Sequence, residues 1–141
     1  MSLIQLVYVS SAVRFMSDEE LAELLRVSRE NNARLDITGL LLYNDGNFIQ
    51  ALEGPEEAVL KLYEKICQDR RHVGVMTLVK EPIKTRLFPE WSMGFQNVKQ
   101  MEAAELPGFS SFLTQSFTPE NFRENPSRVT VLLTTFKKMM R

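Results

Sequence analysis

The sequence has few of the residues that build covalent crosslinks or metal sites. Its 141 residues include one cysteine and one histidine. A single cysteine excludes an internal disulfide, and one cysteine with one histidine is too few ligands for a zinc site. We therefore predict a fold without a metal, in which Cys67 packs as a small apolar side chain.

Strong net charge and long apolar segments are missing as well. The formal net charge is −1 and the pI is about 5.9, so no basic surface is expected for nucleic acid or an anionic membrane. No apolar run reaches the roughly 20 residues that span a bilayer, and the opening Met-Ser-Leu-Ile-Gln lacks the pattern of a secretory signal. With 44% apolar and 25% charged residues, the composition is that of a globular protein, which we expect to be cytoplasmic.

What the sequence does contain is a regular succession of strand and helix patterns. Runs of apolar and β-branched residues predict strands, and the capping-box pattern from Ser17 to Glu20 predicts the start of a helix. The first predicted elements are strand Leu3–Ser10, a helix from about Asp18 to Asn31 or Asn32, and strands Ile37–Tyr43 and Phe48–Gly54 around an Asp-Gly turn. They are followed by a helix from Pro55 to about His72, strand Val73–Val79 and a short strand Ser92–Val98. Two crossovers around a hairpin predict a ferredoxin-like βαββαβ sandwich of the α+β class, with a five-stranded mixed sheet and both helices on one face.

The other face of this sheet is predicted to be too apolar to remain in water. The residues assigned to it are Val7, Val9, Leu41, Tyr43, Ile49 and Ala51. Residues 99–141 carry apolar side chains at helical spacing and a possible helix start at Asn125-Pro126. We therefore predict two domains or segments: a core over 1–98 and a two-helix extension over 99–141 that covers the open face or a partner.

One polar side chain, Gln50, is predicted inside the sandwich. Side chains alternate along a strand, so Gln50 shares a face with Phe48 and Leu52. Burying an amide is costly unless it is hydrogen-bonded, which raises the question of its partner. Other candidates for the same space between helices and sheet are Tyr8, Asn31, Asn32, Trp91 and Met93, with Leu25 and Ile66 placed to sandwich a ring. A planar heteroaromatic ligand would suit this set, although each residue taken alone also fits an ordinary structural role.

Considered together, these residues resemble a known family. The matching pieces are Val7-Tyr8, Asn31-Asn32, Ile37-Thr38-Gly39-Leu40-Leu41, the motif Phe-Ile-Gln-Ala-Leu-Glu-Gly at 48–54, Asp69-Arg70-Arg71-His72 and Phe88-Pro89-Glu90-Trp91-Ser92-Met93. In this order they resemble the BLUF domain, a blue-light sensor module that uses FAD. The resemblance covers Leu3 to Val98, about two thirds of the chain.

The resemblance implies a flavin held between the two helices, without covalent attachment and without a Gly-x-Gly-x-x-Gly loop. The implied binding residues are Tyr8, Leu25, Ser28, Asn31, Asn32, Phe48, Gln50, Leu52, Lys65, Ile66, Asp69, Arg71, His72 and Met93. Lys65 is the implied phosphate partner. FAD is the expected flavin, with FMN and riboflavin left open.

The resemblance also implies a photocycle rather than an enzymatic reaction. Tyr8 is expected to donate an electron and a proton on illumination, and the amide of Gln50 then rotates or tautomerises and changes its hydrogen bonds. Trp91 and Met93 would pass this change through the last strand to the C-terminal helices. From there the signal would reach a partner protein or another copy of the chain in a homo-oligomer.

Four alternatives can be weighed on the sequence alone. The same topology occurs in acylphosphatase-like hydrolases, but Ser10–Arg14 lacks the glycines of an anion-binding loop. A nucleic-acid module would require basic and aromatic strands that are not found. The third is a flavin-free interaction domain that binds a protein through the open sheet face. Visible absorbance distinguishes it from a photoreceptor, because a protein without flavin is colourless. A sensor that forms a thiol–flavin adduct is disfavoured, because Cys67 has no matching motif around it.

Overall fold

The structure, a computed structural model, describes residues 2–14, 16–44, 46–89 and 92–97. Its elements are β1 (Leu3–Ala12), α1 (Asp18–Leu35), β2 (Thr38–Asn44), β3 (Asn47–Pro55), α2 (Glu56–Gln68), β4 (His72–Ile83) and β5 (Gly94–Asn97). The prediction of two helices and four antiparallel strands in a ferredoxin-like order is confirmed. The predicted extension over 99–141 lies outside the described residues. Neither described helix is long and apolar enough to cross a membrane.

The strands follow the order β4-β1-β3-β2-β5 across the sheet. β1 is antiparallel to both β3 and β4, and β2 is antiparallel to β3. β5 pairs with β2 in parallel. The two central strands, β1 and β3, place Tyr8 directly opposite Gln50. Because directly opposite residues share a face of the sheet, this register brings both side chains to the same side.

The helix-facing side of the sheet carries the core on which both helices pack. Its buried residues are Ile4, Leu6, Tyr8, Leu21, Leu25, Ile37, Leu41, Tyr43, Phe48, Leu52, Val59 and Met93. The assignment of Leu41 and Tyr43 to the open face is therefore wrong. They pair with Gln50 and Phe48, and cross-strand partners must lie on one face. Leu40 and Leu42 alternate with them and belong to the other face, beside Ala51 and Ile49.

Helix α1 ends later than the sequence predicts. Ser17 caps its start with a complete capping box, which satisfies orphan N–H groups of the first turn. The predicted end at Asn31 or Asn32 is wrong, because α1 continues to Leu35 and Asp36 ends it in the left-handed conformation at φ 59°. Asn32 therefore lies inside the helix and is 2% exposed.

Strand β4 is also longer than predicted, since it extends through Pro82 to Ile83. It lies at the edge of the sheet, where a residue without an N–H is tolerated. The segment after it is held by Glu53. The carboxylate of Glu53 is fully buried and accepts hydrogen bonds from the backbone N–H groups of Leu87 and Phe88 at 2.9 and 2.8 Å. These two hydrogen bonds fix the backbone at Leu87 and Phe88.

Candidate functional site

A cavity of about 600 Å³ lies between α1, α2 and the helix-facing side of the sheet. Small-molecule sites commonly measure on the order of 300–1,000 Å³. The predicted site residues that line it are Tyr8, Ser28, Asn31, Asn32, Phe48, Gln50, Lys65, Ile66, Asp69, Arg71 and His72. Side chains from both helices and three strands therefore converge on one space.

Three other predicted residues, Leu25, Leu52 and Met93, belong to the neighbouring core and not to the cavity lining that the structure describes. Trp91 lies outside the described residues. The lining also contains residues that the sequence analysis did not assign to a site: Met16, Glu19, Glu20, Glu23, Leu24, Val27, Leu41 and Leu62. Leu24 lies one helical turn before Ser28, and Val27 lies one turn before Asn31. Because residues one turn apart share a face of a helix, this spacing could have identified both as lining residues from the sequence.

A chain of three buried side chains begins at the cavity wall. The hydroxyl of Tyr8 donates to Oε1 of Gln50, and Nε2 of Gln50 donates to Sδ of Met93 at 3.5 Å. A thioether can only accept, so this contact matches the amide orientation in which Oε1 faces Tyr8. Nε2 has a second N–H, for which no acceptor is found among the described residues. Gln50 thus has a donor to offer a ligand in the cavity.

The Tyr8 phenol is held in its protonated form. Burial raises the pKa of Tyr8 well above its ordinary value, and the nearby Tyr63, Cys67 and Asp69 raise it further. The ring of Tyr63 lies 5.5 Å away between centroids, and the ring of His72 lies 6.3 Å away in an edge-on arrangement. Aromatic neighbours at such distances contribute packing energy and keep water out.

This raised pKa predicts a loss of stability in alkali. The unfolded phenol ionises near pH 10 while the folded one stays neutral, so the unfolded state loses protons first and the free energy of unfolding falls as pH rises above 10. We expect Tyr8 to contribute a fall of about 1 kcal/mol per pH unit. Urea unfolding of the flavin-free protein between pH 9 and 11, compared with Tyr8→Phe, measures it. Equal slopes in the two proteins would contradict the assignment.

Helix α1 reaches the segment before β5 through two side chains. Nδ2 of Asn32 donates to the carbonyl of Ser92 at 2.8 Å, and Nε of Arg29 donates to the carbonyl of Met93 at 2.9 Å. Among the described residues no donor reaches Oδ1 of Asn32, so this buried oxygen can accept from a ligand. The sequence analysis missed Arg29, because an arginine on an exposed helix face resembles a solvated charge.

Charged side chains from α2 and from the loop after it also line the cavity. Nε and Nη2 of Arg71 donate to Oδ1 and Oδ2 of Asp69 in a bidentate contact, and these hydrogen bonds lower the pKa of Asp69 to about 2. Nε2 of His72 lies 2.6 Å from the carbonyl of Ile66; a carbonyl only accepts, so this nitrogen carries a proton. Lys65 also lines the cavity, and no carboxylate in the described part of the chain forms an ion pair with it.

Cys67, one turn after Tyr63, is exposed. The prediction that its thiol packs in the core is wrong. The face of α2 that packs inward is formed by Val59, which is fully buried, and by the half-buried Leu62 and Ile66. Cys67 follows Ile66 directly and so lies about 100° around the helix from it.

The chain is similar to proteins whose function is known. Residues 3–94 match the family model of BLUF, described as sensors of blue light using FAD. Over 121 residues the chain is 41% identical to the photoactivated adenylate cyclase subunit beta of Euglena longa, covering 83% of this chain and 14% of that protein. The chain thus spans only a small part of that relative.

Two solved structures share the fold at appreciable sequence identity. A bacterial light-regulated adenylyl cyclase is 36% identical with a TM-score of 0.80, covering 94% of this chain and 39% of the cyclase chain. BlrB, a BLUF protein in its dark state, is 33% identical with a TM-score of 0.72, covering 94% of this chain and 98% of BlrB. The similarity therefore extends to a protein of comparable length.

Proposed function

The chain belongs to the BLUF family of blue-light sensors that use FAD, and on this premise we propose that it binds a flavin in the cavity and responds to blue light. The observation that carries the proposal is the buried chain from Tyr8 through Gln50 to Met93 at the cavity wall. An oxidisable phenol is joined there to an amide whose donor and acceptor ends differ while their shapes are nearly equal.

The donors and acceptors of the cavity suit a flavin ring. The free Oδ1 of Asn32 suits a ring N–H, and the second N–H of Gln50 suits a ring carbonyl. Apolar walls are supplied by Leu24, Leu41 and Ile66. The ammonium group of Lys65, which lines the cavity, suits the phosphate of FAD or FMN. FAD is proposed as the native flavin.

When bound, a flavin supplies absorption of blue light and an excited state that accepts an electron. The residues of this chain then act as follows. Tyr8 gives up the electron, and its phenolic proton passes to Oε1 of Gln50, to which it is already hydrogen-bonded. As the electron and the proton return to Tyr8, the amide is left rotated or in its tautomeric form, with its donor and acceptor ends exchanged. Nε2 then no longer holds Sδ of Met93 as it does in the dark.

Met93 connects this change to the proposed output. It directly precedes β5, which pairs with β2 at the edge of the sheet. We propose that residues 1–98 form the sensor and that 99–141 carry the signal to a partner protein or to a second copy of the chain. The change of one or two hydrogen bonds is worth about 1–3 kcal/mol, enough to bias two states without unfolding the domain.

Absorbance of the purified protein tests the proposal. A yellow protein whose flavin bands shift reversibly to the red under blue light is expected, and chromatography of the released flavin identifies it. A colourless protein that also fails to take up FAD, FMN or riboflavin would refute the proposal and would favour a flavin-free interaction domain.

Replacing Lys65 tests the proposed phosphate contact. Lys65→Met is expected to weaken binding of FAD and FMN by roughly three- to tenfold, because a solvent-accessible charge contributes modestly, and to leave riboflavin binding unchanged. Fluorescence titration of the flavin-free protein measures the three affinities. Lys61→Met is the matched control, since Lys61 pairs with Glu57 on the surface of the same helix. Equal weakening for riboflavin would argue against a phosphate contact.

A further inference from the structure

One arginine of α1 differs from the other two in what it binds. Arg26 bonds to Glu23 and Glu30, and Arg34 bonds to Asn31, so both act within the helix. Arg29 instead donates through Nε to the carbonyl of Met93 at 2.9 Å, across 64 positions of the sequence. Its contact therefore links the helix to the chain immediately before β5.

The contact lies at the residue that the amide of Gln50 also touches. Met93 is 1% exposed, and its sulfur accepts from Gln50 while its backbone carbonyl accepts from Arg29. The side chain and backbone of one residue are thus held from two different elements. If Gln50 released the sulfur, the hydrogen bond from Arg29 to the carbonyl of Met93 would still connect Met93 to α1.

A guanidinium is well suited to hold this carbonyl. It is always charged, and its N–H groups have fixed directions. A hydrogen bond from a charged donor is stronger than a neutral one. Next to it, Asn32 donates to the carbonyl of Ser92 at 2.8 Å, so two consecutive carbonyls are bound by residues one turn apart on α1. This pair of contacts holds the backbone at Ser92 and Met93, immediately before β5 begins at Gly94.

We infer that Arg29 is a positioning residue that couples the state of Gln50 to β5. The inference rests on the proposed function for its light-dependent part. Arg29 does not line the described cavity and is given no contact with the flavin. With Arg29 in place, Met93 is held in the dark at both its backbone and its side chain, so release of the sulfur by Gln50 removes one of two holds and loosens the start of β5. Without Arg29 the start of β5 is already loose in the dark, so release of the sulfur changes it little and the light signal is lost.

Hydrogen exchange of the β5 amides in Arg29→Met tests this. In the dark, exchange at Gly94–Asn97 is expected to be about tenfold faster than in the wild type, which corresponds to about 1.4 kcal/mol. Under blue light the flavin absorbance should still shift to the red, because Tyr8 and Gln50 are intact. The light-dependent change in β5 exchange that the wild type shows should be lost. A merely structural contact would not separate the spectral shift from the response of the strand.

Two further variants sharpen the result. Arg26→Met removes an arginine from the same helix and should leave β5 exchange at the wild-type value. Arg29→Lys keeps a charged donor and should recover part of the protection and of the light response. The inference is overturned if Arg29→Met matches the wild type in dark exchange or keeps its light-dependent change. The dark comparison can be made on flavin-free protein, so a failure of the proposed photochemistry would leave this part of the test intact.

Discussion

Gln50→Leu is expected to leave the flavin bound and to abolish the light-induced red shift. Leucine has nearly the same size and can fill the same space, but it neither accepts from the Tyr8 hydroxyl nor donates to Met93 or to a ring carbonyl. The buried hydroxyl of Tyr8 loses its acceptor, so the free energy of unfolding should fall by about 1–3 kcal/mol. Absorbance spectra before and after blue light, with urea unfolding, measure both effects.

Gln5→Leu is the matched control for this variant. Gln5 lies on β1 and donates to the buried carboxylate of Glu53 at 2.9 Å, so its replacement also removes a carboxamide from a buried network. It is not among the residues that line the cavity. We therefore expect a stability loss of similar size, about 1–3 kcal/mol, with an unchanged red shift. A normal red shift in Gln50→Leu would show that a residue other than Gln50 is the switch.

The position of Gln50 could be predicted from the sequence because two short-range rules agree there. The alternation of a strand places its side chain with Phe48 and Leu52, and the structure has these residues on the helix-facing side. The same alternation failed for β2. The residues of β2 were assigned to the two faces of the sheet without knowledge of how β2 pairs with β3. A shift of that pairing by one position exchanges the two faces. Only the register, with Leu41 opposite Gln50, decides between them.

Long-range polar contacts could not be predicted from patterns. The hydrogen bonds of Glu53 to the backbone of Leu87 and Phe88 join positions far apart in the sequence. Arg86 likewise reaches the carbonyl of Asp36 at 2.8 Å and Thr38 at 2.9 Å. A surface charge and an anchoring charge look identical in a sequence. The predicted end of α1 was wrong for a related reason. Asparagine is common at helix ends, but Asn32 makes tertiary contacts that keep it inside the helix.

Tyr8→Phe is expected to retain the flavin and to lose the reversible red shift completely. Phenylalanine keeps the ring in the core beside Tyr63 and His72, but it removes the oxidisable hydroxyl and the proton that Gln50 accepts. The loss of one buried hydrogen bond should lower the free energy of unfolding by on the order of 1 kcal/mol. Blue-light difference spectra and flavin affinity, measured on the same preparation, separate the loss of photochemistry from the loss of binding.

Tyr63→Phe separates the role of Tyr8 from that of a nearby phenol. The two rings lie 5.5 Å apart, but the hydroxyl of Tyr63 is hydrogen-bonded to Thr77 at 2.6 Å and not to Gln50. Since only Tyr8 has a direct proton acceptor in the switching amide, Tyr63→Phe should keep the red shift. A shift that survives in Tyr8→Phe and disappears in Tyr63→Phe would make Tyr63 the donor. Loss in Tyr8→Phe alone identifies the hydrogen bond to Gln50, and not mere proximity to the cavity, as the requirement for the response.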